Sequence, residues 1–254
     1  MPRYALLFAY NGTPFYGWQA QEGLKTVQGD LEQALNWVLR TPVCLMAAGR
    51  TDRGVHAEGQ VAHFDCPEMP LTPEELRRRV NAILFPMIAV REAVAVDEQF
   101  HARFSAIWRQ YRYDLALQSE PLRHETTAVY YGNPDRKLLH VMAGKLVGTH
   151  DLLGFSKESE QHKGSICEVH SALWYENEPG RLIFRIRANR FLHHTVRGLV
   201  GTMWEVSTGK MSLEDFDAVL HKADRTKCGF TALAKGLVLE RVGYKEFLFK
   251  TEKT

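Results

Sequence analysis

The 254-residue sequence has no run approaching the ~20 consecutive apolar residues of a membrane-spanning helix. Its start, Met1-Pro2-Arg3-Tyr4, lacks the apolar stretch and small-residue cleavage site of a secretory leader. The four cysteines, Cys44, Cys66, Cys167 and Cys228, never form Cys-x-x-Cys, a spacing that fits neither a zinc site nor a disulfide framework. No His-Glu-x-x-His stands among the eleven histidines, and there is no dinucleotide fingerprint or phosphate loop. His193 and His194 are adjacent on an expected helix and should point apart. A cytoplasmic protein with no metal, no cofactor and no membrane contact is expected. Charge of one sign is also scarce. Thirty-two basic residues against thirty acidic ones leave a net charge of +2, so any nucleic-acid partner must be met by locally clustered charge.

What is present is an ordinary globular composition, 45% hydrophobic and 24% charged, on a chain long enough for one large domain or two modest ones. Tyr4 to Tyr10 reads as a buried strand ended by the turn-prone Asn11-Gly12-Thr13-Pro14. A helix is expected from Val27 to Arg40 with Thr26 as its N-cap, then strands at Val43 to Ala48 and Gln60 to Asp65. Thr72-Pro73-Glu74-Glu75 combines an N-cap, an N1 proline and a capping-box glutamate, opening a helix to about Leu84. Ile88 to Val96 gives the next strand. The second half repeats the order: a strand at Arg109 to Leu117 and a helix at Arg136 to Val147. A hairpin of Ile166 to Tyr175 with Leu182 to Ala188 follows, then a helix at Phe191 to Ser207, a short helix from Ser212 and a strand at Leu237 to Val242. Both halves therefore read β-α-β-β-α-β. The expected fold is α+β, with two ferredoxin-like subdomains, mainly antiparallel sheets and a central cleft, or open sheet faces, free to bind a ligand. The expected division is 1–100, carrying the catalytic loop, and 101–254.

The basic charge is local. No acid lies between Glu178 and Glu205, a stretch that holds Arg181, Arg185, Arg187, Arg190 and Arg197. On a strand, Arg181, Ile183, Arg185 and Arg187 share one face and Leu182, Phe184, Ile186 and Ala188 the other. A second acid-free window, Gln99 to Tyr113, interleaves three arginines with five aromatics. Cations that follow phosphates beside rings on which bases stack suit RNA, though charge alone does not distinguish RNA from DNA.

The loop Gly49-Arg50-Thr51-Asp52-Arg53-Gly54-Val55-His56-Ala57 sets one carboxylate between two arginines, with glycines allowing a tight path. Neighbouring positive charge favours ionised Asp52, fit to act as a nucleophile or base rather than as a general acid. On local charge alone, a turn aspartate bonded to loop amides is the simpler reading. His56, close by, could orient the loop.

The string itself is more specific. Gly49-Arg50-Thr51-Asp52 with Gly54-Val55-His56-Ala57 closely resembles the catalytic motif of the tRNA pseudouridine synthase A family. Four further stretches resemble that family in the same order: Tyr10 to Gln19, Phe100 to Ser105, Arg109 to Tyr113 and Ala188 to Arg197. The resemblance implies that Asp52 is the catalytic aspartate and that the substrate is a uridine at positions 38 to 40 of the tRNA anticodon stem-loop. It implies that Arg50 helps extrude the target nucleotide, that Tyr111 stacks on its base and that Arg197 pairs with Asp52. Phe100, His101, Ala102, Arg103 and Phe104 would touch the RNA backbone. It also implies a homodimer that needs neither metal nor organic cofactor. The chain departs from the family pattern at Leu152 to Lys157, where a phenylalanine-rich, arginine-bearing stretch is usual, and at Leu233, where proline is common. Any RNA contact by Gln161 to Ser165 is left open.

Isomerising uridine breaks the bond from ribose C1′ to N1, turns the base and rejoins it through C5, with no second substrate. Asp52 could attack C1′, add to C6 of the uracil or take the C2′ proton, and the sequence does not choose among these. Tyr113 is the alternative stacking residue on the strand face of Tyr111. Two rival readings remain: a pure RNA-binding protein, for which Asp52 has no use, and a metal-dependent nuclease, which needs several convergent carboxylates.

Overall fold

The computed structural model describes residues 1–157, 164–246, 248 and 249. The chain divides into two compact units, one of Met1–Ile107 together with the stretch from Leu239, the other of Trp108–Val238. The units thus part later than the expected 100/101 boundary, and the last strand belongs largely with the first unit.

In the first unit β1 (Arg3–Tyr10) is followed by α1 (Val27–Leu39), β2 (Met46–Ala47), β3 (His56–Asp65), α2 (Pro73–Leu84) and β4 (Ile88–Val96). β1 runs antiparallel to both β3 and β4, with Arg3 opposite Asp65 on one side and Val96 on the other. Its Ala5, Leu6, Leu7 and Phe8 are all buried, as befits a strand covered on both faces. Beyond β3 lies β10 (Leu237–Tyr244). The caps form as expected: Thr26 accepts from the Gly29 amide, and Thr72 with Glu75 makes a reciprocal capping box. The expected strand at Val43 to Ala48 is shorter, with only Met46 and Ala47 pairing to β3. The reason is competition for its backbone: the Val43 amide donates to Asn36 Oδ1 and the Leu45 amide to Glu32 Oε1, both at 2.7 Å from α1. β3 also starts earlier than expected, and Val61, Ala62, His63 and Phe64 are all buried instead of alternating.

The second unit contains most of β5 (Ala106–Ala116), then β6 (Ala128–Val129), α3 (Arg136–Lys145), β7 (Gly148–Asp151), β8 (Ile166–Glu178), β9 (Arg181–Ala188), α4 (Thr195–Ser207) and α5 (Leu213–Lys222). Its strands neighbour one another in the order β5-β9-β8-β7, all antiparallel, while β6 lies parallel to β5. The β8–β9 hairpin closes at Pro179-Gly180, where Gly180 takes φ of 78°. α4 packs its apolar side inward, and Trp174 of β8 meets Phe184 of β9 at 5.0 Å and Met203 of α4 through its indole nitrogen. β7 was not expected, since Gly148-Thr149-His150-Asp151 has no apolar residue to mark it. α4 begins four residues later than expected, because His194 takes a left-handed φ of 65° that a continuous helix does not allow. The whole is a mixed α/β fold with mostly antiparallel strands. No helix among the described residues is long and apolar enough to cross a membrane.

Candidate functional site

The loop carrying Asp52 hangs between β2 and β3 of the first unit, and its shape is imposed by the segment after β1. The Thr51 carbonyl accepts the Trp18 amide at 3.0 Å. The Thr51 hydroxyl lies 2.8 Å from the buried Tyr10 hydroxyl. On the other side, Val55 N–H closes a tight turn onto the Asp52 carbonyl at 3.1 Å, and His56 Nδ1 accepts the Gly12 amide at 3.0 Å. Gly12 has to be glycine, because a Cβ there would lie 2.0 Å from the Val55 carbonyl oxygen. The entrance to the loop is held by Gln60, fully buried, whose amide donates to the Gly49 carbonyl at 2.9 Å. Tyr10 to Gln19, a motif known from resemblance alone, is therefore the cradle of the Asp52 loop, and His56 does orient it. Burial pushes the Tyr10 hydroxyl up to about 12, so it stays protonated beside Thr51. Asp52 is half-buried, while Arg50 and Arg53 are exposed. Arg53 lays its guanidinium 4.1 Å from the Tyr16 ring centre.

The turn after β4 gathers Phe100 to Phe104. Ala102 is fully buried, its amide bound to His63 Nδ1 at 3.1 Å and its carbonyl to the Tyr244 hydroxyl at 2.8 Å, so its role is to hold the turn. Phe100 and His101 are half-buried, whereas Arg103 and Phe104 face solvent. Burial, with Arg3 and His101 nearby, lowers the His63 imidazole to about 4. Burial, with Arg3 and Arg103 nearby, also lowers the His101 imidazole.

In the second unit Tyr111 is half-buried and meets Phe191 edge-on at 5.2 Å. Tyr113, the alternative platform, is excluded: it is fully buried, with its hydroxyl 2.9 Å from the Leu233 carbonyl and 3.2 Å from the Tyr130 hydroxyl. Arg197 lies in the first turn of α4, where its Nε donates to the Ala232 carbonyl at 2.7 Å. Its Nη1 is 3.4 Å from His194 Nε2. His193 and His194 do not point apart on a helix. They precede α4 and bring their rings to 4.1 Å. The β9 alternation holds, with Arg181, Arg185 and Arg187 half-buried and Leu182, Phe184, Ile186 and Ala188 buried. Of Gln161 to Ser165, residues 161–163 lie outside the described residues. Asp52, Arg50 and the 100–104 turn belong to one unit, Tyr111 and Arg197 to the other. Sequence reasoning missed Tyr10, Thr51, Gln60 and His63 as supports. Their one signal was polarity at positions inside strands or motifs with a core pattern.

A family model described as tRNA pseudouridine synthase matches residues 6–105 and 142–245. Among curated relatives, a tRNA pseudouridine synthase A from Chlorobium phaeovibrioides is 40% identical over 245 residues, covering 96% of this chain and all of that protein. A namesake from Chlorobium luteolum is 42% identical over 93% of each chain. One from Synechocystis is 40% identical over 96% of this chain and 90% of its own.

Proposed function

The chain belongs to the tRNA pseudouridine synthase family, and on that premise we propose that it acts on the anticodon stem-loop, at positions 38 to 40, with Asp52 as its catalytic carboxylate. Its reaction is the isomerisation of uridine to pseudouridine in tRNA. The observation that carries the assignment of Asp52 is the clamping of its loop from both sides, by Tyr10 and Trp18 on Thr51 and by Gly12 on His56. A catalytic carboxylate must be held to a fixed geometry by rigid neighbours, whereas a surface turn needs no such support.

The remaining roles follow. Swinging a base out of its stack costs a few kcal/mol. Arg50, exposed on the loop, replaces contacts in the vacated stack, and Tyr111, half-buried, offers the extruded uracil a new surface. Arg197 pairs with Asp52 through charge-assisted hydrogen bonds. Its guanidinium is anchored through Nε on the Ala232 carbonyl, a backbone contact that fixes the orientation of the group. With Asp52 ionised, the C1′–N1 bond breaks, the uracil turns and C5 bonds to C1′. C5 gives up its proton and N1 gains one, so atoms balance without a co-reactant. The same reading includes a cytoplasmic homodimer and a tRNA held in a central cleft between two ferredoxin-like subdomains. The first unit's order, with β1 between β4 and β3 and β2 paired to β3, supports the ferredoxin-like reading of that unit alone.

The test incubates purified protein with an unmodified tRNA transcript in EDTA and looks for pseudouridine after digestion to nucleosides, with Asp52→Asn in parallel. Pseudouridine from the wild type and none from the variant is expected. No product from either, with tRNA binding intact, would leave Asp52 a turn residue on an RNA-binding protein.

A further inference from the structure

Arg197 is seated on the segment from Gly229 to Leu233, which runs along α4 shortly before β10 begins. Two bonds join them directly. Arg197 Nε donates to the Ala232 carbonyl at 2.7 Å, and the Ala232 amide donates to the Arg197 carbonyl at 3.1 Å. Upstream, the Gly229 amide donates to Thr202 Oγ1 at 3.1 Å and the Phe230 amide to Glu205 Oε2 at 3.3 Å, both on α4. The approach is close, since a Cβ on Gly201 would lie 1.7 Å from the Phe230 carbonyl oxygen. As far as the Ala232 amide the segment is thus tied to α4 itself, and beyond it two tyrosines take over.

The Leu233 amide donates to the Tyr130 hydroxyl at 2.8 Å, and the Tyr113 hydroxyl donates to the Leu233 carbonyl at 2.9 Å. The two hydroxyls lie 3.2 Å apart. With the Tyr113 proton on the carbonyl, the Tyr130 proton is left for Tyr113, so the bonds close a circuit through both backbone groups of Leu233. Burial raises both phenols, which keeps the circuit protonated at neutral pH. Tyr113 belongs to β5, but Tyr130 stands just past β6 and packs its ring on Trp204 at 5.3 Å and Phe230 at 5.5 Å. A phenylalanine would fill that space equally well. What the hydroxyl adds is a hold on Leu233.

We propose that Tyr130 is a positioning residue for the isomerisation, one that orients Arg197 through the peptide unit between Ala232 and Leu233. The proposal rests on the reading that Arg197 pairs with Asp52, and adds the residue that sets where its guanidinium points. The carbonyl of Ala232 and the amide of Leu233 are the two polar groups of one planar, trans unit, so they point in opposite directions and turn together. Tyr130 holds the N–H end of that unit and Arg197 Nε is seated on the C=O end. Fixing one end therefore fixes the other, and two bonds on one peptide dipole polarise each other. Without the Tyr130 hydroxyl the plane is free to tilt, and the guanidinium tilts with it.

The test measures kcat and KM for pseudouridine formation on an unmodified tRNA transcript, together with urea midpoints. The full-length variants are Tyr130→Phe, Leu233→Pro and Arg197→Lys, and Tyr130→Phe combined with each of the other two. Tyr130→Phe keeps the ring on Trp204 and Phe230 and should lower kcat roughly tenfold with KM unchanged. Its urea midpoint should hardly move, because Leu233 is exposed and water takes up the freed amide. Leu233→Pro removes the same N–H at a φ of −57° that proline itself adopts, and in that background Tyr130→Phe should lower kcat no further. Arg197→Lys loses the Nε seat on Ala232, and Tyr130→Phe should add nothing to its loss either. Wild-type kcat in Tyr130→Phe, or an undiminished loss in either paired variant, overturns the proposal and leaves the enzyme assignment standing. A rise in KM at constant kcat makes Tyr130 a support for tRNA binding and also overturns it. Full activity in Arg197→Lys removes the group on which Tyr130 acts, with the same result. Wild-type protein that forms no pseudouridine overturns the enzyme assignment and the proposal together.

Discussion

At the scale of single residues, Thr51 is the joint between core and chemistry. It is buried, its hydroxyl meets Tyr10 and its carbonyl meets the Trp18 amide, and the next residue is Asp52. Thr51→Val keeps the shape and the backbone bond but removes the hydroxyl. A buried hydrogen bond lost in this way costs about 1–2 kcal/mol. The urea midpoint should fall accordingly, and turnover on tRNA should drop several-fold with KM nearly unchanged, since RNA contacts are untouched. Thr51→Ser should recover most of both. A rise in KM at constant kcat would show that Thr51 shapes binding instead. The Asp52 loop was legible as a motif because Gly49 to Ala57 is contiguous in sequence, whereas its supports at Tyr10, Gly12 and Trp18 come from the separate segment after β1. Tyr113 was not legible. Alternation put it on the face of Tyr111, but what buries it is Gly236, where a Cβ would stand 2.7 Å from the Tyr113 ring, and Leu233, both more than a hundred residues away.

At the scale of elements, caps and strand cores were readable because their causes are local, as in the Thr72–Glu75 box of α2 and the apolar run of β1. Elements decided by a distant competitor were not, such as β2, whose preceding amides are taken by α1 side chains. The turn at Phe100 to Ser105 is of the second kind, since it depends on His63 of β3 accepting the Ala102 amide. That dependence has a pH consequence. The folded His63 titrates near about 4, well below the ~6.5 of a free imidazole. The unfolded chain therefore takes the proton first, so the His63 contribution is fully present above ~6.5 and is lost as pH falls towards about 4. The loss amounts to about 3 kcal/mol. Urea unfolding at pH 7.5 and pH 4.5 checks this against His63→Gln, which should be weaker at neutral pH and should lose less stability on acidification. Parallel pH dependence in the two proteins would remove His63 as the cause.

At the scale of the whole molecule, a chain of net charge +2 must choose where its cations serve RNA and where they serve the fold. The cationic window on β9 resembled a phosphate-tracking surface in sequence, because alternation sets Arg185 and Arg187 on one face. The register between β5 and β9 places Arg112 opposite Arg185 and Gln110 opposite Arg187. Gln110, Asp114 and Ile183, which alternate onto that same face, are buried beneath it. Tyr111, one residue from Arg112, points to the other face. The arginines are already engaged: Arg187 sits 4.3 Å from the Trp108 ring centre and donates to Gln110 Oε1, Arg185 lies over Tyr175, and Arg112 pairs with Asp114. A cation–π contact with its covering stem contributes about 1 kcal/mol. Arg187→Ala should therefore lower the urea midpoint by about that amount while leaving the salt slope of tRNA binding unchanged. A slope reduced by about one with stability intact would return this face to the RNA. The contrast is physical: sequence spacing reveals which side of a strand an arginine occupies, and only the packed neighbours reveal whether its charge is still available.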